Sequence, residues 1–137
     1  MRVLIICTGN SCRSQMAAGF MHQLRPGWEV VSAGTFPAEQ VHPLAVSVMA
    51  EVGIDISSQH PKAVETFVAK NFDYLITVCD DARGSCPAFI GKVNHRLHMG
   101  FPDPARVMGN EEQVLAVFRQ VRDEIREGII QFVEGKV

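Results

Sequence analysis

The sequence predicts an α/β fold in three layers, a four-stranded parallel sheet with helices on both faces. Three observations carry this expectation. The run Val3-Leu-Ile-Ile6 is apolar without alternation, the pattern of a strand buried on both sides. That run passes through a short loop straight into a helical repeat, which is the opening of an α/β unit. Strand-like and helix-like segments then alternate to the end of the chain, and such alternation favours parallel strands with crossovers on the faces of the sheet.

Each element has its own local reason. Residues 2–6 form the first strand, stopped at Thr8-Gly-Asn10. Residues 14–24 carry Met16, Ala17, Phe20, Met21 and Leu24 at helical spacing, and Pro26-Gly27 ends the helix. Residues 29–33 read as a second strand closed by Gly34. His42-Pro43 starts a helix through Leu44, Val48, Met49 and Val52, with Gly53 as its C-terminal cap. Pro61 suits the first turn of a further helix over 62–70, which leads into a third strand over 72–78. Residues 80–87 are rich in Asp, Gly, Ser and Pro and are expected as a loop or an irregular, mobile helix. Residues 94–99 form a weaker fourth strand. Residues 111–133 form a long amphipathic helix whose apolar stripe includes Val114, Phe118, Val121, Ile125, Ile129 and Phe132. Neither a linker nor a repeat interrupts the pattern, so one domain over 1–137 is expected.

Composition narrows the function. The chain has 137 residues, 47% of them hydrophobic and 20% charged, which excludes intrinsic disorder and allows a buried core. Thirteen basic against fifteen acidic residues leave a net charge of -2, so neither nucleic acid nor an anionic membrane is an expected partner. Any anion specificity must be local. The apolar stretch Val3 to Cys7 is too short to cross a membrane, and no small-residue cleavage site follows it; a cytoplasmic monomer is expected. In that reducing setting four cysteines, Cys7, Cys12, Cys79 and Cys86, argue against a structural disulfide framework.

The segment Cys7-Thr-Gly-Asn-Ser-Cys-Arg13-Ser14 lies where the first strand hands over to the first helix. Ligands of such sheets sit at the carboxyl ends of strands, and a helix N-terminus presents unpaired amides there. Gly9 and Asn10 tolerate the left-handed backbone that turns amides toward one point, with Thr8, Ser11 and Cys12 completing the loop. Such a nest binds a tetrahedral oxyanion, and the planar guanidinium of Arg13 adds two donors. Cys7 at its base is a candidate nucleophile, expected as a thiolate stabilised by the helix terminus, Arg13 and the amides. Ser14 is placed to donate a hydrogen bond to the same sulfur. The competing reading is a small apolar cysteine ending a strand beside an unrelated surface arginine.

The loop resembles the phosphate-binding loop of the low-molecular-weight protein tyrosine phosphatase fold. The longer string Cys-Thr-Gly-Asn-Ser-Cys-Arg-Ser-Gln-Met, residues 7 to 16, resembles the thioredoxin-coupled arsenate reductases built on it. The likeness extends to Ser32-Ala-Gly34, Thr77-Val-Cys79, Asp103-Pro-Ala105 and Val121-Arg-Asp-Glu-Ile125, and so covers most of the chain. It implies a four-stranded, low-molecular-weight phosphatase-like α/β fold. It further implies that Cys79 attacks the Cys7 adduct, that Cys86 then attacks Cys79, and that a Cys79–Cys86 disulfide is passed to thioredoxin, or less expectedly to glutaredoxin. Asp103 stands where the phosphatases carry their general acid.

The residues themselves leave alternatives. Cys79 and Cys86 also suit buried structural thiols, Asp103 beside two prolines suits a turn, and Cys12 suits packing or a redox partnership with Cys7. Cys-x4-Cys and Cys-x6-Cys fit a zinc site poorly, and His22, His42, His60, His95 and His98 lack metal spacing beyond a weak His95–His98 pair. No metal and no bound cofactor are therefore expected, the reducing equivalents coming from thioredoxin. Asn10 and Ser32 resemble positions that shape the loop and, in some members, a monovalent-cation site; Ala18 and Lys62 replace acidic ligands there, so no cation requirement is expected. Ala105-Arg106-Val107 replaces the aromatic residues that grip a phosphotyrosine ring. The expected activity is arsenate reduction, with phosphate-monoester hydrolysis or a non-catalytic oxyanion-binding redox module as the alternatives.

Overall fold

The structure, a computed structural model, describes residues 1–80 and 86–135. Its strands are β1 (Arg2–Cys7), β2 (Glu29–Gly34), β3 (Phe72–Thr77) and β4 (Val93–His98), and they form one parallel sheet in the order β2-β1-β3-β4. The helices are α1 (Arg13–Leu24), α2 (Pro43–Glu51) and α3 (Glu111–Val133), with short 3-10 turns at Val64–Phe67 and Pro104–Arg106. Val3, Leu4, Ile5 and Ile6 are all fully buried. Successive strand side chains point to opposite faces, so β1 is covered on both sides. At the sheet edge Asn94, His95 and Arg96 of β4 are exposed, which is why its sequence signal is weak.

The helix ends are fixed by local chemistry. Leu44 N–H donates to His42 Nδ1 at 3.1 Å to start α2 behind Pro43. Gly53, at φ +81°, ends it: its N–H reaches Ala50 O and Ile54 N–H reaches Met49 O, both at 3.0 Å, the paired bonds of a Schellman motif. A reciprocal capping box between Asn110 and Gln113 starts α3. Arg119 and Arg122 of α3 both pair with Glu51 of α2; the Arg119 hydrogen bonds lead in holding its carboxyl down at about 2.

One predicted element is corrected. The expected helix over 62–70 is reduced to the turn Val64–Phe67. Tertiary partners take the groups a helix would use: Lys62 N–H donates to Asn10 Oδ1 at 2.9 Å, and Lys62 O accepts from Gly34 N–H at 2.7 Å. Ala63 is thereby held in a parallel bridge to Gly34. At the far end Val68 O accepts from Ile90 and Gly91 N–H. Elsewhere boundaries shift by a residue or so; β3 ends at Thr77, and Val78 N–H still donates to Ile6 O. Of the irregular segment expected over 80–87, residues 81–85 lie outside the described residues.

The chain winds from β1 to β2 on one side and to β3 and β4 on the other. The reversal between β1 and β3 opens a crevice at their carboxyl ends. Cys7 follows Ile6, whose register partner in β3 is Thr77, so Cys7 and Cys79 arrive at the same edge.

Candidate active site

The loop after β1 is held from outside. Cys7, Thr8, Gly9, Ser11 and Cys12 carbonyls accept from Thr35, Phe36, Ala38, His42 and Met16 N–H, all at 2.9–3.1 Å. Asn10 O accepts from Gln15 Nε2 at 2.9 Å. With every carbonyl from Cys7 to Cys12 engaged, the amides are the backbone groups left to face a ligand. Among the described residues, the N–H groups of Gly9, Asn10, Ser11 and Cys12 meet no protein acceptor.

Asn10 is the anchor of this shape. It is fully buried and holds the left-handed conformation, at φ +50°. Its Nδ2 donates to Ser14 Oγ at 2.7 Å and Ser32 Oγ at 3.0 Å, and its Oδ1 accepts from Lys62 N–H. Gly9, expected to share that conformation, does not: it has no positive φ, and a Cβ there would meet only Ser11 Oγ at 3.4 Å. The constraint falls instead on Gly34, where a Cβ would lie 2.6 Å from Thr8 O.

Arg13 opens α1 with its side chain 12% exposed. Its guanidinium donates to Phe101 O at 3.2 Å and lies 3.5 Å from Asp103 Oδ2. Its Nε is buried with no acceptor among the described residues, a donor that an oxyanion in the loop would satisfy. Asp103 has two engagements: Oδ1 accepts from Ala105 N–H at 3.0 Å, the turn role, while Oδ2 faces Arg13 and, at 3.4 Å, Arg106. Arg13, Cys79, Asp80, Phe101 and Asp103 line a cleft of about 290 Å³.

Three of the cysteines are almost fully buried. Cys79 Sγ lies 3.2 Å from Thr8 Oγ1 and shares a hydrogen bond with Cys7. That bond and burial push the Cys7 thiol above its ordinary range, against the Arg13 guanidinium and the Thr8 N–H, which pull it down. The expectation of a resting thiolate is thus corrected: beside a second thiol and out of water, Cys7 holds its proton more tightly than an ordinary cysteine, in spite of Arg13. Ser14 Oγ is engaged by Asn10 and makes no hydrogen bond to Cys7 among the described residues. Cys12, the residue before α1, is pushed up to about 11, chiefly by burial. Cys86 is half-buried, with Sγ 3.6 Å from Pro87 O; burial raises its pKa and Arg96 lowers it. It lines a separate hollow of about 310 Å³ with Leu75, Thr77, Arg96 and His98.

The histidines are dispersed. His22 bonds Val30 O, His42 caps α2, His95 stacks on Tyr74, and His98 bridges Thr77 and Asp80. His95 and His98, three apart on a strand, point to opposite faces. No group of three metal-ligating side chains occurs among the described residues. Near the loop, Lys62 Nζ donates to His60 O at 2.8 Å and shares a hollow with Ala18 and Ser32. Sequence reasoning missed Gln15, whose buried amide ties Asn10 O and His60 O together; a glutamine on the buried face of an apolar helix was the available signal. No helix of the described residues is long and apolar enough to cross a membrane.

Comparison with known proteins agrees with this geometry. The family model for low molecular weight phosphotyrosine protein phosphatase matches residues 2–136. An arsenate reductase of Shouchella clausii (strain KSM-K16) is 47% identical over 133 residues, spanning 96% of this chain and 94% of the relative. A solved arsenate reductase in a phosphate-binding state superposes with a TM-score of 0.78 at 33% identity, covering 99% of this chain and 98% of that one. A thioredoxin-dependent arsenate reductase from Corynebacterium glutamicum superposes with a TM-score of 0.57 at 30% identity, covering 93% of this chain and 61% of that one. With the fold, the loop and these matches in agreement, the chain belongs to the low molecular weight phosphotyrosine protein phosphatase family.

Proposed function

We propose that the protein reduces arsenate to arsenite through Cys7, Cys79 and Cys86, and that thioredoxin regenerates it. The observation that carries this reading is the contact between Cys79 and Cys7 at the base of the anion loop. A hydrolytic phosphatase needs water at that position, whereas a reductase needs a second thiol. The relatives above, arsenate reductases among which one is thioredoxin-dependent, support the same choice.

Arsenate binds the loop amides and Arg13, and Cys7 Sγ attacks arsenic; an S–As bond forms, an As–O bond breaks, and the thiol proton, taken up on the side of Asp103, leaves with that oxygen as water. Cys79 Sγ then attacks Cys7 Sγ. An S–S bond forms, the S–As bond breaks with its electron pair on arsenic, and arsenite leaves. Cys86 thiolate attacks Cys79 Sγ, releasing Cys7 and leaving a Cys79–Cys86 disulfide. The thioredoxin dithiol reduces that disulfide, which fits a reducing, cytoplasmic setting. The loop and Asp103 also favour slow hydrolysis of phosphate monoesters as a side activity.

The test combines the protein with thioredoxin, thioredoxin reductase, NADPH and arsenate while NADPH loss is followed, with an aryl phosphate assay in parallel. Cys7→Ser should abolish both activities. Cys79→Ser and Cys86→Ser should abolish multiple turnovers of arsenate reduction and leave aryl phosphate hydrolysis. Normal recycling by Cys86→Ser refutes the exit route, and phosphate binding without either activity identifies a binding module.

A further inference from the structure

Cys79 and Cys86 open into different hollows. Cys79 lines the cleft with Arg13 and Asp103, whereas Cys86 lines the hollow bounded by Leu75, Thr77, Arg96 and His98. One pair of side chains joins the two spaces. His98, at the end of β4, lines the Cys86 hollow, and Asp80, next to Cys79, lines the cleft; His98 Nε2 lies 2.8 Å from Asp80 Oδ1. On its other side His98 Nδ1 lies 2.7 Å from Thr77 Oγ1. A carboxylate accepts, so Nε2 donates to Asp80, while Thr77 Oγ1 holds the ring through Nδ1. The imidazole is thus fixed in orientation by β3 and presents its Nε2–H to Asp80. Gly100 leaves the space this needs: a Cβ there would lie 3.2 Å from His98 Nε2 and 3.4 Å from Asp80 Oδ1.

We propose that the Thr77–His98–Asp80 chain is a positioning device that holds Cys79 on the Cys7 side of the site, and so sets the balance between the Cys79, Cys86 dithiol and their disulfide. The proposal rests on the three-cysteine reading above. A disulfide brings two Cβ atoms to about 3.8 Å, so one of the two thiols must leave its hollow. In this proposal Cys79 is the one that moves, and because Asp80 follows it in the chain, that movement carries Asp80 off His98. The bridge therefore belongs to the dithiol form, and its loss favours the disulfide. In the exchange, Cys79 and Cys86 lose two electrons and two protons to a disulfide oxidant, here oxidised dithiothreitol, which becomes the dithiol. One charge-assisted hydrogen bond, partly open to solvent, is worth about a tenfold change in that equilibrium. This corresponds to a midpoint potential about 30 mV more negative.

The measurement is a redox titration of the whole protein in dithiothreitol buffers, followed by alkylation and peptide mapping of Cys79 and Cys86. His98→Ala and Asp80→Ala should each shift the midpoint by about 30 mV toward easier oxidation, and Gly100→Ala, which crowds the bridge without removing either partner, should shift it the same way by less. Asp80 is 90% exposed on its side chain, so its replacement leaves the core untouched and keeps the test valid where His98→Ala fails to fold. If the parent forms a Cys79–Cys86 disulfide and the Asp80→Ala potential equals the parent's, the positioning role is wrong and the relay stands. If the parent forms no such disulfide in any buffer, the relay is wrong and the positioning role falls with it.

Discussion

Replacing Asn10 by alanine should loosen the anion loop and the fold together. The side chain makes three buried or part-buried hydrogen bonds, to Ser14, Ser32 and the Lys62 amide, and the residue sits at φ +50°. Each lost bond costs about 1 kcal/mol, and an alanine held in the left-handed region costs roughly another 1–2 kcal/mol. The expected loss is therefore about 4 kcal/mol, against roughly 5–15 kcal/mol for a whole domain. In thermal unfolding this is a fall in Tm of about 10–15 °C. Ser32→Ala removes one partner only and should cost about 1 kcal/mol, a fall of roughly 3 °C. Phosphate affinity, measured by calorimetry at a temperature where both variants are folded, should fall at least about tenfold in Asn10→Ala, because the freed loop loses the arrangement of its amides. An Asn10→Ala protein that melts within about 2 °C of the parent and binds phosphate equally well would refute the reasoning, since neither the backbone strain nor the three bonds would then be holding the loop.

Two further outcomes follow from the same geometry. In Cys79→Ala the chief cause that raises the Cys7 pKa is gone while Arg13 and the Thr8 N–H still lower it, so Cys7 should form its thiolate at lower pH. Its alkylation by iodoacetamide, followed against pH, should set in at lower pH than in the parent; an unchanged profile shows that Cys79 does not hold the proton on Cys7. In Gly34→Ala the new methyl would meet Thr8 O at 2.6 Å and Asn10 N at 3.2 Å, backbone atoms that yield only if the loop shifts. A cost of about 1–3 kcal/mol and weakened phosphate binding are expected, and a variant with parental Tm and affinity shows that β2 does not set the loop's position.

What was legible in the sequence and what was not divide along a physical line. The apolar run of β1, the Schellman glycine at Gly53 and the stripe of α3 are written in short-range patterns, and each element formed as those patterns require. The helix over 62–70 failed because its backbone groups found partners far along the chain, Asn10 and Gly34, and local propensity does not compete with bonds already satisfied. The same distinction governs the site. Cys7, Arg13 and Asn10 were legible because a strand, a loop and a helix N-terminus succeed one another within a dozen residues. The protonation of Cys7 was not. It depends on Cys79, seventy-two positions away by numbering, which reaches Cys7 only because β3 lies beside β1 and sets Thr77 against Ile6. Strand order is a global property, decided by which crossover buries the most apolar surface, and no local string records it. A candidate nucleophile of this kind is therefore located by sequence but tuned by topology. Its reactivity is better sought in the neighbour that the strand order supplies than in the motif that names it.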